Sequence, residues 1–304
     1  MEIQQSPFYK KYIIKLGWNV VHHQGFIIFI KQFPLYGGLA KIQRITTLLN
    51  PDKLIPLLKK FRVRRIIVEP DANVLQRDFD QWVTQLSQSF TITTTPYLPT
   101  KTIRIDLKPS EDDIFHNFSE AKRRAVRRAT RHHVLIKESS DIRVLITIKN
   151  KSSGFLGFIT TYGIDKLWPI FAPDHAAILL AYQGKVIANP DVEEGRGNPQ
   201  TVQRLLRRFT PRNDNKTVGG VLLIFWDSVA YYWIAGATRE GKKLFSPTLL
   251  VWEALKLSKK RGMKQFDFVG VWDERSPKQF HEWKGFTKFK EGFGGKALYY
   301  PIVK

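Results

Sequence analysis

The residues best suited to chemistry lie near the C-terminus, where a lysine is set among aromatics and glycines. The stretch is Trp283-Lys284-Gly285-Phe286-Thr287-Lys288-Phe289-Lys290-Glu291-Gly292-Phe293-Gly294-Gly295. Its glycines let a ligand approach the backbone closely. Phe286, Phe289 and Phe293 suit a wall of low dielectric, and a lysine held there is a localised cation for a developing oxyanion. The same residues also suit a Gly-rich turn before a strand, with ordinary surface lysines. Residue content alone does not separate the two.

A second concentration of charge precedes this tail. Residues 119–133 read as a helix in which Arg123, Arg127 and Arg131 lie four apart on one face. Arg124 and Arg128 lie on the neighbouring one. Like charges at this spacing repel. Keeping five together favours a bound polyanion over a merely solvated face, and phosphate contacts of this kind position a nucleic acid without reading its sequence. The whole chain agrees: 49 Lys and Arg stand against 27 Asp and Glu in 304 residues, a formal net charge of +22. Such a surface attracts RNA, DNA, nucleotide phosphates or anionic lipid.

Composition also excludes. There is no cysteine, so disulfides, zinc-thiolate sites, iron–sulfur clusters and a cysteine nucleophile are ruled out. The only adjacent histidines, His22-His23 and His132-His133, lack the spacing of a helical metal site, and no metal is expected. Residues 1–15 have no apolar h-region. The longest apolar runs, 25–30 and 218–226, fall far short of the roughly 20 residues that span a bilayer and read as buried strands. The chain reads as cytoplasmic, with a basic surface suited to peripheral contact with an anionic inner membrane face.

Elements must position these residues. Strands are predicted at 26–30, 65–68, 102–107, 134–136 and 265–271. Asn50-Pro51 opens a helix that Pro56 should kink or delay, and a further helix surrounds Phe79, Val83 and Leu86. Ser110 to Asp113 has capping-box spacing, and Asp141 caps the helix through Leu145. Hairpins are expected around Gln183-Gly184 and Asp227-Ser228. Residues 189–216 read as a polar surface insertion with a short helix near 202–209. Ser246 is expected to cap a helix with Pro247 at its first position and Gly262 at its end. Strand–helix alternation with hairpins mixed in predicts an α/β class with mixed sheets (α+β) in two domains.

The tail residues Phe289-Lys290-Glu291-Gly292-Phe293-Gly294-Gly295 are very similar to the FKxGFGG signature of the FemABX family, the tRNA-dependent aminoacyltransferases that build peptidoglycan cross-bridges. Four more segments agree in family order. Gln5-Ser6-Pro7 through Leu16-Gly17-Trp18 resembles the N-terminal QSxxW…LGW segment. Ile105-Asp106-Leu107 with the arginine-rich helix and Val134 resembles DL…RxxxRxA…V. Tyr232 to Thr238 resembles the Y-x-x-G-A-[ST] strand, and residues 247–268 resemble P-x-x-L-x-W-E-A-x-K…F-D-F.

The resemblance implies two GNAT-like domains sharing a cleft, with the C-terminal strand returning to the first. On that pattern the first domain is 1–105 plus 285–304 and the second is 106–284. It puts Phe289 and Lys290 where an aminoacyl ester reacts, Asp106, Lys11 and Tyr232 on the acceptor side, and Arg123, Arg124, Arg127, Arg128 and Arg131 against tRNA. The implied partners are aminoacyl-tRNA and a UDP-linked or lipid-linked muropeptide, and no cofactor is needed for aminolysis of an activated ester. Two positions depart. Where the family grips the precursor's pyrophosphate with a lysine and an arginine, this chain has Ile13 or Ile14, with Lys10, Lys11 and Lys15 nearby, and Phe158 after Gly154-Phe155-Leu156-Gly157. The alternatives are N-acyl transfer from acyl-CoA, whose Q/R-x-x-G-x-G/A loop has no good copy here, and a non-catalytic RNA-binding protein. The latter leaves the Phe-Lys and Gly-rich tail unexplained.

Overall fold

The computed structural model describes residues 1–153, 161–184 and 216–304. The expected hairpin arm at 185–188, the insertion at 189–216 except Lys216, and the segment 154–158 lie outside the described residues. A 3₁₀ turn (Ile3–Gln5) leads into α1 (Pro7–Lys15), followed by β1 (Asn19–His23), β2 (Phe26–Phe33), β3 (Gly37–Gln43), α2 (Pro51–Lys60), β4 (Val63–Glu69), α3 (Gln76–Ser87) and β5 (Thr91–Ile92). Then come β6 (Lys101–Asp106), α4 (Glu111–His116), α5 (Glu120–Arg131), β7 (Val134–Ser139), α6 (Ile142–Ser152), α7 (Ile164–Phe171), β8 (Ala176–Gln183), β9 (Thr217–Trp226) and β10 (Val229–Ala237). The chain closes with α8 (Arg239–Lys243), α9 (Ser246–Lys260), β11 (Gln265–Asp267), α10 (Lys284–Glu291) and β12 (Lys296–Tyr299).

Local chemistry explains most of the boundaries. Ser6, Asn50, Ser110, Ser119 and Asp141 each accept a hydrogen bond from a first-turn amide, and each such cap is worth about 1 kcal/mol. α2 begins at Pro51 and runs across Pro56 without the expected delay. The β9–β10 turn has Asp227 and Ser228 both at positive φ, the two-residue geometry that matches strand twist. Ser246 is not the expected cap. It is already helical, Phe245 holds the cap position at a φ of 59°, and the Ser246 hydroxyl is buried without a partner. Gly262 ends α9 in the left-handed region, as its lack of a Cβ permits.

The strands form two mixed sheets, in the orders β1-β2-β3-β4-β5 and β12-β6-β11-β10-β9-β8-β7. β2 shows how the sheets are joined. Its side chains alternate: Ile28 and Ile30 face the core under α2 and α3, while Ile27 and Phe29 face a second core with α1, α6, α7 and strands β8 to β10. A strand buried on both faces reads as continuous apolar residues, which is the run Phe26 to Ile30. A third core fills the opposite face of the larger sheet under α4, α5, α9 and α10.

Sheet membership differs from the expected domain division at both ends. β6 pairs with β11 and with β12, so residues 101–106 and 296–299 lie side by side in the larger sheet. The return to the first unit is made by the residues after β12. Tyr300 donates its N–H to Thr100 O, Ile302 exchanges hydrogen bonds with Gln76, and Lys304 pairs with Asp80. Alternation along Thr102 to Leu107 tells which side chains point together, but not which distant strand lies alongside.

Arg104 anchors this junction. Its Nε donates to Asp267 Oδ2 at 2.7 Å and its Nη2 to Glu2, with all three side chains largely buried. Removing one member of such a group strands the others without compensation. Arg104→Met should therefore lower stability by about 3–5 kcal/mol in urea denaturation.

Candidate active site

The site arises where two parallel strands stop pairing. β10 and β11 share only Val229↔Gln265, Ala230↔Phe266 and Tyr231↔Asp267. Beyond that point β10 stays with β9, with a register shift between Tyr232 and Ile234. The chain after Asp267 stays with β6, through Phe268 N to Ile103 O and Val271 N to Lys101 O, both 3.0 Å. Val269 takes a φ of 57° at the divergence, a strained setting for a β-branched residue. Asp267 holds it by accepting from Val269 N at 2.7 Å. Thr102 Oγ1 bridges the same turn, donating to Asp267 and accepting from Gly270 N.

The split opens a cavity of about 500 Å³. Its walls come from α6 (Lys149, Ser152), β10 (Tyr232 to Ala237), the α8–α9 corner (Lys242, Pro247) and α10 (Phe286, Phe289, Lys290), with Trp283 just before α10. Gly236 allows α6 to come close, since a Cβ there would lie 2.9 Å from Lys149 Cα. Lys149, Lys242 and Lys290 line the cavity, and among the described residues no carboxylate lines it. An anionic ligand suits such a lining.

Lys290 completes the broken ladder. Its Nζ donates to Phe268 O at 2.8 Å and Gly270 O at 2.6 Å, the carbonyls that the divergence leaves without strand partners. An ammonium has three N–H donors, so one is uncommitted. The Phe286 ring stands 4.8 Å from the nitrogen. Burial pushes the Lys290 ammonium down to about 7; Asp267 opposes the shift and Lys149 adds to it. Lys149 is also lowered, by burial and by Lys242. The Tyr232 hydroxyl is pushed upward by burial alone.

The basic helix α5 runs beside this wall. Ala125, Val126 and Ala129 face the core, while Arg124, Arg127, Arg128 and Arg131 are exposed. Near its start, Lys122 Nζ sits 3.8 Å over the Phe289 ring, its ammonium lowered to about 8 by burial. Near its end, Arg128 and His132 cover Phe245, two residues before cavity-lining Pro247. Arg124 pairs with Glu120, and Arg123, half-buried, donates to His116 O.

The other acceptor-side candidates stand elsewhere. Asp106 is exposed at the end of β6, accepts from Lys108 N at 3.0 Å, and lines a separate opening with Lys264 and Lys296. Lys11 is exposed on α1 over Phe8, and Lys10 contacts His22. Neither Asp106 nor Lys11 lines the cavity; Tyr232 does. Lys149, Lys242 and Trp233 were missed. A lysine at a helix C-terminus reads as ordinary dipole complement, and nothing local marked it otherwise.

A lysine whose charge is lost near neutrality is in large part a free amine at pH 7. Competitive acylation with a limiting amine reagent should modify Lys290 with a midpoint near pH 7, whereas ordinary lysines titrate near 10.4. A Lys290 midpoint in the ordinary range would contradict this burial.

The FemAB family model matches residues 193–300. The crystal structure of FemX has a TM-score of 0.68 with this chain at 16% identity, covering 99% of this chain and 92% of that one. The C-terminal domain of a putative lysylphosphatidylglycerol synthetase from Agrobacterium fabrum has a TM-score of 0.53 at 11% identity, over 98% and 87%. No curated protein matches. The mixed sheets and the whole-chain likeness to FemX bear out the double GNAT-like fold.

Proposed function

We propose, from the FemAB family model's match to residues 193–300 and the whole-chain likeness of fold to FemX, that the chain is a FemABX-type enzyme that moves an aminoacyl group from tRNA to an amine of a peptidoglycan precursor. The observation that carries this reading is the cavity lined by three lysines, with Lys290 in its wall and the arginine face of α5 alongside. The helix holds the polyanion and the cavity receives its esterified end.

The chemistry is aminolysis. The acceptor nitrogen attacks the ester carbonyl, forming a C–N bond and placing negative charge on the carbonyl oxygen. The uncommitted N–H of Lys290 meets that charge in a site of low dielectric, where such a donor is worth most. The tetrahedral intermediate collapses, the C–O bond to the tRNA ribose breaks, and the proton lost by the amine passes to the leaving oxygen. No cofactor enters. Dependence on charged tRNA puts the reaction in the cytoplasm, and no helix among the described residues is long and apolar enough to cross a membrane.

Incubation with charged tRNA and a muropeptide should transfer the amino acid, and ribonuclease should abolish the transfer. Transfer that survives ribonuclease favours the acyl-CoA reading on the same fold. Lys290→Met should lower kcat about 10²-fold while keeping tRNA affinity; equal loss of both contradicts the electrostatic role. The sign of the pH effect follows from the lowered ammonium. The charged form dominates below about 7 and is lost above it, so kcat/KM should carry an alkaline limb near pH 7. That limb should be absent from the residual activity of Lys290→Met.

Exposed arginines that meet phosphates release counterions. Replacing Arg127 and Arg131 with Gln should weaken tRNA binding and lower the slope of log K against log salt by about 2. An unchanged slope removes α5 from the tRNA surface.

A further inference from the structure

The turn between β2 and β3 shows apolar side chains that the fold does not use. Leu35 is 95% exposed, Tyr36 80% and Phe33 41%. None of the three joins a core cluster. Leu35 also holds a φ of 71°, in the region that favours glycine. Cations gather beside the turn end of the same hairpin. Gly38 N donates to Arg62 O at 2.8 Å, Gly38 pairs with Val63, and Leu39 pairs with Arg65. The stem of Arg64 lies so close to Gly37 that a Cβ there would be 2.8 Å from its Cδ. Lys59, Lys60, Arg62, Arg64 and Arg65 are all exposed, and none forms an ion pair with a described carboxylate. Lys59 and Lys60 complement the C-terminal dipole of α2. The three arginines have no such duty.

We propose that this turn is a membrane wedge. Leu35 and Tyr36 enter the boundary between headgroups and acyl chains of an anionic bilayer, and the cations of residues 59–65 hold its headgroups. Apolar side chains flanked by unpaired cations suit an anionic interface. An RNA surface would satisfy the cations but offers a leucine little. The binding stands apart from the transfer reaction and is measured without it.

The test is co-sedimentation of the full chain, treated with ribonuclease, with vesicles of one part phosphatidylglycerol to two parts phosphatidylcholine. The wild type should pellet with these and not with pure phosphatidylcholine vesicles. The double variant Leu35→Ser/Tyr36→Ser should partition at least about tenfold less, as expected for two interfacial apolar anchors. Arg62→Gln/Arg64→Gln/Arg65→Gln should partition about a hundredfold less at low salt. Both variants should keep the wild-type melting temperature, because the side chains changed are exposed. The absence of cysteine allows an independent reading: Leu35→Cys carrying an environment-sensitive dye should shift to the blue on anionic vesicles. Three results overturn the proposal: a wild type that stays in the supernatant, a serine variant that pellets like the wild type, or a serine variant that keeps vesicle binding and loses tRNA instead.

Discussion

When two parallel strands part inside a sheet, the carbonyls along the split lose their ladder partners, and each must find a donor or water. Here β10 and β11 part after Tyr231 and Asp267, and Lys290 supplies the donors to Phe268 and Gly270. The lysine can do this only by leaving bulk water, which lowers its ammonium toward neutrality. The cost is tolerated because the groups around it are fixed. Asp267 holds Val269 and Arg104, Arg104 holds Glu2, and Thr102 holds the turn at Gly270. Glu2 therefore helps set the shape of a cavity whose lining residues begin at Lys149, far along the chain. The cation that closes the split is also the group best placed to meet charge inside it.

α5 shows the same economy with opposite means. Its arginine spacing is unfavourable for an isolated helix, and Glu120 compensates only Arg124. Packing holds it instead. Ala125, Val126 and Ala129 are small enough to sit against α9, and the Lys122 stem lies along Gly292 with its nitrogen over Phe289. A side chain at position 292 would displace that stem, since a Cβ would lie 2.7 Å from Lys122 Cε. The Gly-rich tail thus brings the basic helix against the cavity wall. The tail and the helix, read from the sequence as separate features, form one surface.

Legibility followed physical range. Features set within a few residues were readable: the caps at Asn50, Ser110 and Asp141, the Asp227-Ser228 turn, the Gly262 stop, and the aromatic-lysine pattern of α10. Ser246 misled because the residue before it, Phe245, adopts a left-handed conformation that a phenylalanine rarely takes. β3 was overlooked because it begins Gly37-Gly38, a poor strand signal, although Gly38 is needed where the Phe61 carbonyl and Val63 come close. Lys149 and Lys242 share a cavity with Lys290 because residues of β10 line it together with α6, α8 and α10. The edge position of β12 rested on pairing with β6, nearly two hundred residues earlier, and no local pattern encodes such a choice.

β2 ties the smaller sheet to the core of the larger one. The middle of β2 is buried on both faces, with Ile27 and Phe29 packed among α1, α7 and the strands that wall the cavity. The far end of the same strand carries Phe33 and leads to the exposed turn. β2 therefore runs from the hairpin tip into the core that it shares with the larger sheet. The departures at Ile13 and Ile14 fit this arrangement. Ile13 is buried in the shared core and Ile14 faces solvent, so neither position supplies the cation of the family pattern. The cations of this helix stand at other positions, with Lys11 over Phe8 and Lys10 against His22.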